Sequence, residues 1–149
     1  MRAVIQRVSR AAVVVNGIRI AAIDSGLLVL LGVEVGDDKK SAKYLAEKTA
    51  GLRIFEDDLE KMNLSVLDCA GEVLVVSQFT LLADCRKGRR PGFSAAAVPD
   101  LAEPLCEYFV DQLKQQGVRV QTGQFRADMA VDLINDGPVT ILLDSRRNF

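Results

Sequence analysis

Apolar and polar positions alternate from Ala3 to Val8, the period-two pattern of a half-buried strand. The pattern returns in "AAVVVNGIRIAAI" (Ala11 to Ile23), where Asn16-Gly17 divides it into two runs with a strong hairpin signal between them. After Asp24-Ser25-Gly26 the alternation stops. "GLLVLLGV" (Gly26 to Val33) is apolar throughout, which predicts a strand buried on both faces. The period then lengthens. Ala42, Leu45, Ala46 and Thr49 fall on one helical face, with Asp37 or Asp38 as N-cap and Gly51 near the end. A short strand is expected at Arg53 to Phe55, a charged loop at Asp57 to Lys61, and a β run at Glu72 to Val76 that leads into "SQFTLLAD". A basic, turn-rich segment follows, "CRKGRRPGF" (Cys85 to Phe93). The second helix is expected from Asp100 or Leu101, because Pro104 is tolerated only in a first turn. Its stripe is Leu101, Leu105, Phe109 and Leu113, and Gly117 stops it. Val118 to Gln121 and Met129 to Ile134 read as strands. The sum is an α+β fold: antiparallel hairpins curl into a strand-rich, barrel-like sheet, with the two main helices packed outside.

Composition narrows the classes. The 149 residues, 49% hydrophobic and 26% charged, suit a single globular domain over 1–149 without repeats or linkers. No apolar run is long enough to span a bilayer, and "MRAVIQRV" contains no signal-peptide core, so a cytoplasmic, membrane-free protein is expected. Cys69, Cys85 and Cys106 fit neither a disulfide framework nor a zinc pattern, and are expected to be buried thiols. A net charge of −1 gives no global field for nucleic acid. The chain has no histidine, which removes Ser-His-Asp and Cys-His catalysis together with the commonest metal ligand. No metal and no cofactor are expected.

Two segments are candidates for chemistry: "SQFTL" (Ser77 to Leu81) at a strand end and "NDGPVT" (Asn135 to Thr140) at a turn. Each alone is weak. Strand-end hydroxyls such as Ser77 and Thr80 commonly bond nearby backbone, and a proline after Asp-Gly is commonly a plain turn residue. Pro138 nevertheless has no N–H to give to a returning strand.

Together, "VVSQFTLLAD" and "INDGPVT", with "IQRV" near the start and "KMNLSV" between them, closely resemble the D-aminoacyl-tRNA deacylases. The resemblance runs from Met1 to about Leu143, leaving residues 144–149, "DSRRNF", as an additional tail expected to be flexible. It implies a homodimer whose sites lie at the subunit interface, with the Gly137-Pro138 bond cis and the turn inserted into the partner's site. The cis bond is expected to reverse the chain and aim two carbonyls at the substrate's amino group, obstructing an L side chain. The implied substrate is the acceptor 3′ end of tRNA carrying a D-amino acid, or glycine mischarged on alanine tRNA, since glycine has no side chain to reject.

The ester is already activated. A positioned water and backbone donors for the oxyanion then suffice, with the ribose 2′-OH relaying the proton, so the missing histidine is no obstacle. The candidate catalytic segment is Ser77, Gln78, Phe79 and Thr80, with Phe79 and Thr80 as amide donors; a Thr80 nucleophile is the other option. Gly137 and Pro138 are the implied chiral filter. Phe125 and Met129 match positions that pack around the terminal adenine, and Arg7 matches a residue that braces the Gly-Pro loop across the dimer. Read without the resemblance, Arg7 is a surface cation. Arg86, Lys87, Arg89 and Arg90 are either phosphate contacts or a solvated loop. Two other functions stay open at this point: a related deacylase with a trans Gly-Pro bond that removes an L-amino acid, and a non-catalytic module that grips RNA 3′ ends.

Overall fold

One long strand organises the sheet. In the computed structural model, which describes every residue from Met1 to Phe149, the first two predicted β runs are a single strand, β1 (Arg2–Val15). No turn residue separates them, and the slip in register at Ser9 is absorbed as a bulge. Along one edge β1 pairs antiparallel with β2 (Ile18–Ile23) and β3 (Gly26–Gly32). Along the other it pairs antiparallel with β8 (Ala130–Asp144). Asn16 and Gly17 both take positive φ, 50° and 76°, as a tight hairpin between right-twisted strands requires.

The remaining strands depart from the expected hairpins. β6 (Glu72–Ser77) runs parallel to β3, and β7 (Arg119–Thr122) runs parallel to β6. A parallel partner needs a crossover, and the two helices lie in those crossovers: α1 (Lys39–Gly51) between β3 and β6, α2 (Pro99–Gln115) between β6 and β7. A small antiparallel ribbon, β4 (Phe55–Glu56) with β5 (Met62–Leu64), interrupts the first crossover. The six-stranded sheet curls until β2 lies beside β6 and β7, giving a nearly closed barrel.

The curl makes two cores. Val8, Val13, Ile23, Leu28, Leu74 and Val76 fill the barrel interior. Leu27, Leu31, Val73 and Val75 face the other way, onto Leu45, Ala46, Phe109 and Leu113 of the paired helices. Successive residues of β3 and β6 therefore enter different cores, which is why "LLVLLGV" has no polar face.

Helix α1 matches its expected pattern: Asp38 caps it through the Ser41 N–H at 2.9 Å, and Ala42, Leu45, Ala46 and Thr49 are buried. Helix α2 does not. It starts at Pro99, and Leu101 is 63% exposed because the first turn overhangs a cleft instead of the core; the buried stripe begins lower, at Phe109, Val110 and Leu113. The cysteines also differ from expectation. Cys69 and Cys85 sit on exposed turns and Cys106 is half-buried, all three as free thiols. Their places are set by the turns around them, which cysteine spacing does not encode.

Residues 144–149, expected as a flexible tail, are tied back to the body. The Ser145 N–H donates to the Met1 carbonyl at 2.9 Å, and Arg146 donates to the Val35 carbonyl at 2.6 Å while pairing with Glu34 at 3.3 Å. Burial alone would raise the Asp144 carboxyl. Hydrogen bonds from the Arg146 N–H and the Asn148 amide, with the N-terminal charge and Arg2, hold it below the usual range instead. No helix is long and apolar enough to cross a membrane.

Candidate active site

β6 ends at Ser77, and the next residues close into a 3-10 turn, Phe79–Leu82, where continued strand-end geometry was expected. The turn is seated by core packing. Leu82 is buried, and Gly32 at the end of β3 admits it: a Cβ there would lie 2.5 Å from Leu82 Cδ2 and 2.9 Å from the Gln78 carbonyl. The Gln78 N–H donates to the Leu31 carbonyl at 2.8 Å, fixing the start of the turn to β3. In a 3-10 turn the first amides have no carbonyl three residues back within the turn, so the Phe79 and Thr80 N–H groups are left without a backbone partner. Gln78 does not cap them with its side chain; its amide donates to the Thr80 hydroxyl. The partner of that hydroxyl is thus an amide and not a base.

A cleft of about 600 Å³ opens beside this turn. Ser77, Gln78 and Phe79 form one wall, Ala96, Ala102 and Cys106 another, and Phe125 and Met129 the third. Phe125 and Met129 reach it because the chain doubles back after β7: Gly123 donates to the Val75 carbonyl at 2.9 Å, and a Cβ on Gly123 would sit 2.7 Å from Met129 Sδ. The lining is mostly apolar, with Arg126 and Asp128 its charged residues. Cys106 is not a ready nucleophile, since burial, with Glu103 and Glu107 nearby, pushes its thiol up to about 12. The structure therefore brings together five of the predicted residues, Ser77, Gln78, Phe79, Phe125 and Met129. Thr80, the next residue of the turn, is exposed and lies outside the cleft lining, and Gly137, Pro138 and Arg7 lie elsewhere.

The Gly-Pro segment is not a chain reversal. Asn135 stands opposite Val8 and Thr140 opposite Gln6, so Asp136 to Val139 are an excursion of β8 opposite Arg7 alone, after which the strand resumes in the same direction. The expected hairpin is corrected because β1 continues as one partner on both sides of the excursion. The Gly137-Pro138 peptide bond is cis. Gly137 has φ 119°, and a Cβ there would meet Val139 Cγ2 at 2.8 Å and Arg7 Nη2 at 3.0 Å.

Arg7 is no surface cation. It is 5% exposed, donates from Nη1 to the Ile54 carbonyl at 2.7 Å, and from Nε to the Asp136 carbonyl at 3.3 Å. Its Nε also lies 3.3 Å from Asp136 Oδ2, and its Nη2 3.8 Å from Glu56. In this chain it therefore braces the chain's own loop. Asn135 supports the same excursion: with its amide nitrogen inward it donates to the carbonyls of Arg7 at 2.9 Å and Val139 at 3.2 Å. Sequence reasoning missed Asn135, Ile54 and Gly32 as supports. The close approach that marks Gly32 exists only after β3 and the 3-10 turn have packed together.

Comparison with known proteins gives the family and the fold. A family model described as D-Tyr-tRNA(Tyr) deacylase matches residues 4–144. A D-aminoacyl-tRNA deacylase of Koribacter versatilis (strain Ellin345) is 62% identical over 149 residues, all of both chains, so the last six residues lie within the aligned length. One from Thermosipho africanus (strain TCF52B) is 58% identical, again over all of both chains. A solved structure titled c-Myc DNA Unwinding Element Binding Protein superposes with a TM-score of 0.91 at 42% identity, covering 97% of this chain and 98% of that one. A second, titled as a probable eukaryotic D-amino acid tRNA deacylase, shares the fold at a TM-score of 0.82 and 17% identity, over 96% of this chain and 98% of that one. The chain belongs to the D-Tyr-tRNA(Tyr) deacylase family.

Proposed function

We propose that the chain hydrolyses the carboxylic ester joining a D-amino acid to tRNA, as the names of its relatives state for them, and that it selects chirality by obstruction. The aminoacyl end enters the cleft beside Ser77–Phe79, and the terminal adenine packs against Phe125 and Met129. Water attacks the ester carbonyl. The Phe79 and Thr80 amides stabilise the oxyanion, the bond to the ribose oxygen breaks, and that oxygen takes up the proton through the neighbouring 2′-OH. Free amino acid and tRNA leave. No side-chain base is required, which suits a site whose half-buried Cys106 thiol stays protonated and whose Thr80 hydroxyl is bonded to an amide.

The Gly137-Pro138 loop completes the site from a second copy of the chain. The observation that carries this is the separation of the two motifs: Ser77, Gln78 and Phe79 line the cleft, while Gly137 and Pro138 are exposed on edge strand β8, outside it. Within one chain the loop has nothing to filter. Placed in a partner's cleft, its carbonyls accept hydrogen bonds from the substrate's amino group and block an L side chain, while glycine passes, including glycine mischarged on alanine tRNA. The place of action is the cytoplasm, where aminoacyl-tRNA is used.

Deacylation of paired D- and L-aminoacyl-tRNAs, with glycyl-tRNA alongside, is the test. Hydrolysis of the D and glycyl forms with the L forms intact is expected. Equal rates on D and L forms would remove the filter. Inactivity on all of them, with binding retained, would favour a non-catalytic module that grips RNA 3′ ends. Dimer formation is checked by sedimentation; a monomer active with full selectivity would rule out a filter acting between subunits.

A further inference from the structure

One basic run stays outside the cleft, Arg86, Lys87, Arg89 and Arg90, and the fold shapes it into a defined element. Asp84 and Gly92 pair backbone to backbone, N–H to carbonyl in both directions at 2.7 and 3.0 Å, and close the intervening residues into a loop. Arg86 is used inside it. Its Nε and Nη2 donate to the two Asp84 carboxylate oxygens at 2.9 and 2.8 Å, and the Arg86 N–H donates to the same carboxylate at 3.0 Å. The Arg86 guanidinium holds the Asp84 carboxyl far below the ordinary range, so this pair stays ionised at any working pH.

Lys87, Arg89 and Arg90 are different. All three are exposed, and the loop's ion pair belongs to Arg86 alone. The chain leaves the loop through Phe93, whose ring sits edge-to-face on Phe79 with centroids 5.1 Å apart. Both rings line the cleft and both are partly exposed, Phe79 by 58%. A loop with three exposed, unpaired cations thus leads directly into a pair of aromatic rings that line the cleft, the combination of charge and aromatic surface with which proteins hold single-stranded nucleic acid.

We propose that the Asp84–Phe93 loop is a clamp for the single-stranded 3′ end of RNA, with Lys87, Arg89 and Arg90 on backbone phosphates and Arg86 as the internal brace that stiffens the loop. The clamp rests on the reading of the cleft as the ester site, because it presents the RNA to that cleft. It also reconciles a net charge of −1 with an RNA substrate: the attraction is local, and the footprint is a few phosphates.

The experiment compares two substrates across a salt series: D-aminoacyl-tRNA and D-aminoacyl-adenosine, which has the ester and the base but no phosphates. With Lys87, Arg89 and Arg90 all changed to Gln, KM for the tRNA should rise about tenfold or more at low salt, with kcat little changed. The plot of log KM against log salt should flatten by about 2, since each single-strand phosphate contact contributes roughly 0.7. Hydrolysis of D-aminoacyl-adenosine should not change. The same charge loss on α1, Lys40, Lys43 and Lys48 to Gln, should leave the salt slope as it was.

Unchanged KM and slope on the tRNA would overturn the clamp. So would an equal loss on D-aminoacyl-adenosine, which would mean a distorted cleft, or an equal flattening in the α1 variant, which would mean a diffuse field. If the unsubstituted protein hydrolyses neither substrate, the ester-site reading fails separately. The affinity of both proteins for an uncharged RNA 3′ strand then still decides the clamp: equal affinities overturn it.

Discussion

The two motifs are built in opposite ways. The Ser77–Leu82 segment ends a central strand that is covered on both faces, and it is pinned by Leu82 in the core, the Gln78 N–H on Leu31, and the close approach at Gly32. The Asp136–Val139 excursion leaves an edge strand, exposes Asp136, Gly137 and Pro138, and keeps its shape through the polar contacts of Arg7 and Asn135, with Val139 alone reaching back into the helix-side core. One motif is held by packing and the other mainly by hydrogen bonds. Packing holds a group that must stay fixed while bonds are made and broken. Hydrogen bonds to an exposed loop leave its surface free to meet another molecule. The proposed roles, oxyanion donors on the first and a filter on the second, follow that division, so damage to one should be separable from damage to the other.

The largest effect should come from Arg7→Met. It removes the bonds to the Ile54 and Asp136 carbonyls and leaves a buried acceptor without a partner. Charged hydrogen bonds of this kind contribute about 2–3 kcal/mol, so chemical denaturation should detect the loss. The loop loses its brace, and D/L selectivity should collapse together with a roughly hundredfold fall in kcat/KM. Full selectivity in a folded variant would show that the loop does not depend on Arg7.

Gly32→Ala attacks the other motif. Its new Cβ would press on Leu82 and the Gln78 carbonyl. Such overpacking costs about 1–3 kcal/mol, and a displaced turn should lower kcat by about tenfold or more. Selectivity should survive, since β8 and Arg7 are untouched. If the D/L ratio falls as far as kcat does, the two motifs are not independent.

Thr80→Ala should do least. The amide stays, and a change in kcat of only about threefold is expected if the backbone donates. A drop of roughly a thousandfold with the fold intact would make the hydroxyl a nucleophile instead. The matching change on the RNA, 2′-deoxyadenosine at the terminus, should cost far more than Thr80→Ala.

Much of this was legible in the chain itself. The Asn16-Gly17 turn, the Asp38 cap with its Ala42–Leu45–Ala46–Thr49 face, and the doubly buried Gly26–Val33 run all depend on neighbours a few residues away, where periodicity and turn chemistry act. The pairing of "SQFTL" with "NDGPVT" was legible as a resemblance, and it pointed to the cleft side chains of Ser77, Gln78, Phe79, Phe125 and Met129. What the chain did not disclose depends on contacts between distant residues. That β3, β6 and β7 run parallel is settled by where α1 and α2 pack, a choice that strand composition leaves open. That Asp136–Val139 is an excursion and not a hairpin is settled by β1, which stays the partner on both sides of it, residues more than a hundred positions away. Arg7 looks like any strand arginine until Ile54, Glu56 and Asp136 close around it. Local sequence fixes which segments are stiff and which way they alternate; the partners of an edge strand and the burial of a charge are fixed only when distant segments share one core.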